Sequence, residues 1–171
     1  MIPLPADAAR LLTELHAPAR LVRHLSLVHD VAAALLDQLD AAGALPPAVD
    51  RAAVCFGAAT HDIGKTLHPE ELSAPGAQHE RAGESLLLAH GVPPHLARFA
   101  RTHAAPEDLE DLLVALADRL WRGKRDPALE DRLLTTLSAA LSLPAWQLLL
   151  TLDDIATALT HDAPARLAHQ G

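Results

Sequence analysis

Apolar positions in this chain recur at three- and four-residue intervals, and no stretch shows the sustained alternation of β-branched residues expected of a half-buried strand. Ala and Leu dominate the periodic segments and prolines fall between them, so the pattern predicts an all-α, compact helical bundle of about seven to eight helices. The first is expected over residues 6–15. Pro18 suits the first turn of a second, which runs to about residue 42 and is stopped by Gly43. After Leu45-Pro46-Pro47, the segment from Ala52 to Ala59 has no polar face, which marks a central buried helix. Gly64 then lets the chain turn away. The stretch to about residue 78, with Pro69, Pro75 and Gly76, reads as a loop holding about one helical turn, and loops of this length are often functional. A fourth helix starts near His79 and stops at Gly91, Pro93-Pro94 opens a fifth, and a sixth follows Pro106 and ends at Gly123. Asp126-Pro127 reads as the N-cap and first residue of a seventh helix, reaching about Ser142, and an eighth runs from Pro144 to about residue 160. No period indicates a solenoid and no low-complexity linker divides the chain, so a single domain over 1–171 is expected.

Histidines sit on these stripes. On the second helix, Leu21, Val28, Val31, Leu35 and Leu39 share one face while Arg23, Ser26, Asp30 and Asp37 gather opposite; His24 lies inside the apolar stripe and His29 at its margin. His61 and Asp62 leave the end of the buried third helix. His79 shares a face with Ala82, Gly83 and Leu86 and so points inward, whereas His90, beside Gly91, suits a helix C-terminus. His103 closes the stripe of Leu96, Phe99 and Ala100. Periodicity does not decide Asp118: it lies roughly opposite Leu113 and Leu120, with Arg122 at i+4 as a partner, and spacing alone favours the surface.

Composition narrows the function classes. A formal charge of −8 opposes an extended nucleic-acid or anionic-membrane surface, and two Trp, two Phe and no Tyr leave little for single-strand stacking. A small phosphorylated substrate remains open through a local basic patch. One cysteine permits no disulfide framework, and Cys55, within an apolar segment, is expected to be a small buried hydrophobe of a reduced, cytoplasmic protein. The opening Met-Ile-Pro-Leu-Pro-Ala-Asp has no basic stretch followed by an apolar core, and no apolar run approaches the ~20 residues a bilayer requires, so secretion and membrane insertion are not expected.

His-Asp occurs three times, at His29-Asp30, His61-Asp62 and His161-Asp162. Asp30 falls on a polar face and His161-Asp162 precedes a terminal tail; only His61-Asp62 emerges from a buried helix, where it reads either as a polar helix end near the surface or as a costly burial that calls for a partner such as a divalent metal. The order His24, His61-Asp62, His79, His103, Asp118 resembles the HD-domain superfamily of metal-dependent phosphohydrolases over roughly residues 18–125. Its most specific pieces are Ala-Thr-His61-Asp62-Ile-Gly-Lys65, His79-Glu-Arg-Ala-Gly-Glu and Leu-Ala-Asp118-Arg-Leu. The resemblance implies that His24, His61, Asp62 and Asp118 hold one metal, that His79 and His103 hold a second, and that Asp62 bridges them; it overrules the surface reading of Asp118. It leaves residues 126–161 as packing helices and 162–171 as a tail.

Mixed imidazole and carboxylate ligands suit Fe, Mn, Co, Ni or Zn better than Ca or Mg, and two such ions are expected. The reaction implied is hydrolysis of a phosphate ester or anhydride of a small nucleotide-like substrate by a metal-activated water. Asp62 and Lys65 are the expected catalytic residues, since the lysine in this position of the family commonly faces the substrate phosphate. The run Arg119, Trp121, Arg122, Lys124, Arg125 offers an anion-binding rim with one stacking surface, so Arg122 and Lys124 join Lys65 as expected substrate contacts; it reads equally as charge placed to suit a helix end. His68 is expected in solvent. His103 is followed by Ala104 rather than by a second histidine, which departs from the subgroup that cleaves cyclic di-GMP. Two other functions share the ligand order: a mixed-valent di-iron oxygenase of the HD type, and a nucleotide-binding regulatory module without turnover.

Overall fold

A computed structural model describes residues 2–168, and among these every regular element is helical. Helix α1 spans Ala6–Glu14, α2 Ala19–Ala41, α3 Arg51–Thr60, α4 Gln78–Ala89, α5 Pro94–Ala97, α6 Phe99–Thr102, α7 Leu109–Leu120, α8 Pro127–Leu141, α9 Ala145–His161 and α10 Ala163–Ala168. The starts follow local chemistry. Asp50, Asp108 and Asp126 each accept a hydrogen bond from the backbone N–H three residues on, capping α3, α7 and α8.

Two apolar clusters carry the packing. The larger joins α2, α3 and α7 to α8 and α9, through Leu35, Leu39, Val54, Leu113, Leu116, Leu133, Leu137, Leu152 and Ile155. The smaller joins α1 and the first half of α2 to the end of α3, α4 and α5–α6, through Leu11, Leu25, Ile63, Leu87 and Ala100. Helices α2, α3 and α7 therefore meet at the middle of the molecule, and α7 is buried along nearly its whole length. The described helices include none long and apolar enough to cross a membrane.

Four local expectations are corrected. The single fifth helix is two short pieces, because at Arg98 the hydrogen bonding tightens: the Arg101 N–H reaches the Arg98 carbonyl at 2.8 Å, an i−3 bond. The loop after α3 holds two 3₁₀ turns, Ile63–Thr66 and Pro69–Leu72, in place of one. Cys55 is only half-buried, since Ala52 and Cys55 form the outer edge of α3; burial still pushes its thiol pKa upward. Residues 163–168 of the expected tail form α10, while residues 169–171 lie outside the described residues.

Gly64 is needed for a reason other than turning. Its backbone lies against α4 so closely that a β-carbon there would collide with the His79 carbonyl oxygen and lie 2.7 Å from the Gly83 nitrogen. Gly83 is confined less severely: its own β-carbon would stand 3.0 Å from Ala100 Cβ and 3.1 Å from the Gly64 nitrogen. Two glycines thus bring the segment carrying His61 and Asp62 against the start of α4, which carries His79.

Candidate metal centre

Where α2, α3, α4, α6 and α7 converge, six side chains meet. His24 stands on α2, His61 and Asp62 at the end of α3, His79 in the first turn of α4, His103 at the end of α6, and Asp118 in the last turn of α7. His61 is fully buried, and His24, Asp62, His79 and Asp118 are each at most 9% exposed. Asp118 is thereby removed from the surface that spacing alone favoured, although Arg122 does approach its Oδ1 at 3.6 Å.

The six form two groups sharing Asp62. His24 Nε2 lies 3.4 Å from His61 Nε2 and 3.1 Å from Asp62 Oδ2, and Asp118 Oδ1 is 3.6 Å from both imidazole nitrogens. On the other side, Asp62 Oδ1 is 3.0 Å from His79 Nε2 and 3.6 Å from His103 Nε2. Coordination bonds near 2.1 Å set neighbouring ligand atoms roughly 3.0–3.5 Å apart, so both groups have the spacing of a donor shell.

The orientation of the rings fits a metal as well. Nδ1 of His61 donates to the Ala58 carbonyl at 3.0 Å, that of His103 to the Ala100 carbonyl at 3.1 Å, and that of His79 to the Glu71 carboxylate. Each acceptor thus holds a proton on Nδ1 and leaves Nε2 turned inward, where a neutral ring presents its lone pair. His79 Nε2 and Asp118 Oδ1 are buried and make no directed hydrogen bond despite their charged neighbours. Buried polar atoms left so are costly, and a cation in each donor group would satisfy its own such atom. The residues present therefore fit the metals implied by the donor set.

The protonation pattern follows from the packing. Burial pushes the Asp62 carboxyl up, but the charge of His61 and the close approach of His24 and His79 outweigh it and hold the group well below the usual carboxylate range. Asp118, opposed by the same desolvation, is brought down to about 2 by the nearness and charge of His61 and by His24. For His61, burial favours the neutral ring, yet Asp62 and Asp118 overcome it and the pKa is raised. His79 is raised likewise, burial being outweighed by Asp62 and Glu71. His103, buried and repelled by His61 more than it is helped by Asp62, falls to about 4. Both aspartates thus stay ionised at neutral pH.

A cavity of about 510 Å³ opens over this floor, within the roughly 300–1,000 Å³ usual for small-molecule sites. Its lining includes His24, Asp62, Lys65, Arg122, Arg20 and Glu71. Lys65 Nζ donates to Asp62 Oδ2 at 2.6 Å. Lys124 is exposed and is not part of this lining, so of the expected substrate contacts Lys65 and Arg122 are brought to the site and Lys124 is not. Trp121 lines the cavity but offers no free stacking face: it is 4% exposed, its ring meets His24 edge-on with centroids 5.0 Å apart, and the Arg122 guanidinium stands 5.2 Å over it. His68 pairs with Glu70 at 3.3 Å, outside the cavity lining.

Two site residues escaped sequence reasoning. Glu71 is buried and accepts from the backbone N–H groups of Gln78 and His79 as well as from the His79 ring; although burial opposes it, His79 keeps its pKa lowered. Its signal, a Glu in a proline-containing loop, is indistinguishable from surface charge. Arg20 is an exposed guanidinium on the cavity wall, one turn before His24. That i, i+4 relation to His24 was available to find it.

A helical bundle that gathers four histidines and two aspartates beneath a basic cavity has the makings of a metal-dependent enzyme. The chain belongs to the HD-domain family, whose model, described as HD domain, matches residues 8–123. That family is a superfamily of metal-dependent phosphohydrolases acting on phosphorylated substrates. Comparison with curated proteins and with solved structures returned no match.

Proposed function

We propose that this protein hydrolyses a phosphate ester or anhydride of a small, nucleotide-like substrate, using two divalent transition metals held by His24, His61, Asp62, His79, His103 and Asp118. The observation that carries the reading is the division of the Asp62 carboxylate, with Oδ2 beside His24 and His61 and Oδ1 beside His79 and His103. One carboxylate serving two donor groups is what a paired-ion site requires, and a single ion would leave His79 and His103 without a purpose. When bound, such ions supply Lewis-acid charge and lower the pKa of water to ~7.

The chain's own groups have distinct tasks. Asp62 and Asp118, both kept ionised, supply the negative charge that retains the cations. Arg20 and Arg122 draw the phosphoryl group into the cavity, and their positive charge offsets the anion that develops during attack. Lys65, within reach of Asp62, exchanges that carboxylate for a substrate oxygen and holds it in line. Cytoplasmic residence and Fe, Mn, Co, Ni or Zn as the natural metal complete the proposal.

The test is an anaerobic assay of purified protein reloaded with manganese, against a panel of nucleotides and phosphate esters. Release of orthophosphate or a nucleoside monophosphate is expected, with Asp62→Ala losing metal and turnover together and His29→Ala retaining both. Silence in that assay, with O₂ uptake by the iron-loaded form, would identify an oxygenase; ligand binding without either activity would identify a regulatory module.

A further inference from the structure

The last described helix, α10, lies beyond the residues that the HD-domain model matches, yet it reaches the cavity. Leu167 lines the cavity while remaining 43% exposed, so this apolar side chain is held at an opening and not within the core. Arg166 holds it there. Its Nε donates to the Trp121 carbonyl oxygen at 3.1 Å, and its Nη2 donates to the Leu120 oxygen at 3.3 Å and to the Leu159 oxygen. The first two acceptors end α7, where carbonyls lack intrahelical donors and the helix dipole is negative, so a guanidinium there is doubly favoured.

A second contact fixes the start of α10. Gly123 follows α7 at φ +75°, and a β-carbon on it would stand only 3.0 Å from Ala163 Cβ. The turn after α7 and the first residue of α10 are therefore packed together. Trp121 and Arg122, at that same end of α7, line the cavity with Leu167. One short segment thus grips the end of the helix that bears Asp118 and presents an apolar side chain to the ligand space.

The lining divides by chemistry. Arg20, Lys65 and Arg122 supply the charge a phosphate needs, whereas Leu72, Pro75 and Leu167 offer nothing to a phosphate and suit an apolar or aromatic group. We propose that α10 is the specificity element of this cavity: Leu167, with Leu72 and Pro75, clasps the organic part of the substrate, and Arg166 is the positioning residue that holds Leu167 in place. This rests on the reading of the cavity as the substrate site.

Binding of adenosine monophosphate and of orthophosphate to the manganese-loaded full chain, measured by calorimetry, tests it. Leu167 is exposed, so Leu167→Ser spares the core; it should weaken adenosine monophosphate roughly five- to tenfold, as expected for removing part of one buried leucyl contact, and leave orthophosphate within about twofold. Arg166→Ala should give the same split and Arg166→Lys should recover part of it, with metal content unchanged in all three variants. Equal weakening of both probes, unchanged adenosine monophosphate binding in Leu167→Ser, or a wild-type protein that binds adenosine monophosphate no better than orthophosphate would each overturn the proposal. Turnover is not read here. A protein that hydrolyses no phosphate yet shows the Leu167-dependent split would defeat the hydrolase reading and keep the clasp, and hydrolysis without the split would do the reverse.

Discussion

Single residues in and around the centre differ sharply in how their partners hold them. Glu71 gathers three N–H donors on one buried carboxylate and fixes the His79 ring, so Glu71→Gln should keep the shape but weaken the acceptor. Metal titration of that variant should show one site of two weakened by roughly 10–100-fold, the usual consequence of losing a partner that orients a ligating imidazole. His79→Ala or His103→Ala should lose about one ion of two while the fold is retained. His29 is a different case: it is 3% exposed, Nδ1 has no hydrogen-bond partner, and burial lowers its pKa despite Asp30 at 3.9 Å. Below ~6.5 the unfolded chain binds a proton at this position that the folded chain refuses, so stability falls as pH drops from there through the lowered folded value. Denaturant unfolding of His29→Met should therefore decline less steeply between about pH 7 and pH 5 than that of the unaltered protein. At this scale the sequence spoke unevenly. The inward stripes of His24, His79 and His103 were readable from helical spacing, but Asp118 was not, because its burial comes from neighbours on other helices and not from its own face.

Elements carry the geometry that lets those residues meet. The start of α4 approaches the turn after α3 across Gly64 and Gly83, with no room for a methyl group at Gly64. Gly64→Ala should cost roughly 1–3 kcal/mol, read as a lower denaturation midpoint, and should loosen metal binding because His79 is displaced from Asp62. If the variant matched the unaltered protein in both respects, the close approach would not be what positions His79. Helix number and most boundaries were legible, since Gly and Pro punctuation and the aspartate caps are local signals. The tightening at Arg98 and the short α10 were not. The former belongs to a side-chain clasp in which Arg98 and Thr102 both bind the buried Asp111 carboxylate, at 3.0 and 2.8 Å, and α10 depends on carbonyls at the ends of α7 and α9.

The molecule as a whole assembles the centre from distant parts of its chain. Between His24 on α2 and Asp118 on α7 lie α3, α4, α5 and α6, and the six side chains share no short local motif beyond His61-Asp62. A partly folded chain brings few of them together, so ions that bind here bind the finished fold in preference to anything looser. By mass action such ions favour the native state: free metal at 100 times its dissociation constant adds about 2.7 kcal/mol per site. Thermal unfolding should therefore shift upward with metal concentration and downward on chelation, and the shift should vanish in Asp62→Ala. With metal bound as proposed, the centre would be a checkpoint on folding, since the donor set and the bundle are completed together, and a cell short of metal would then lose some of the protein's resistance to proteolysis.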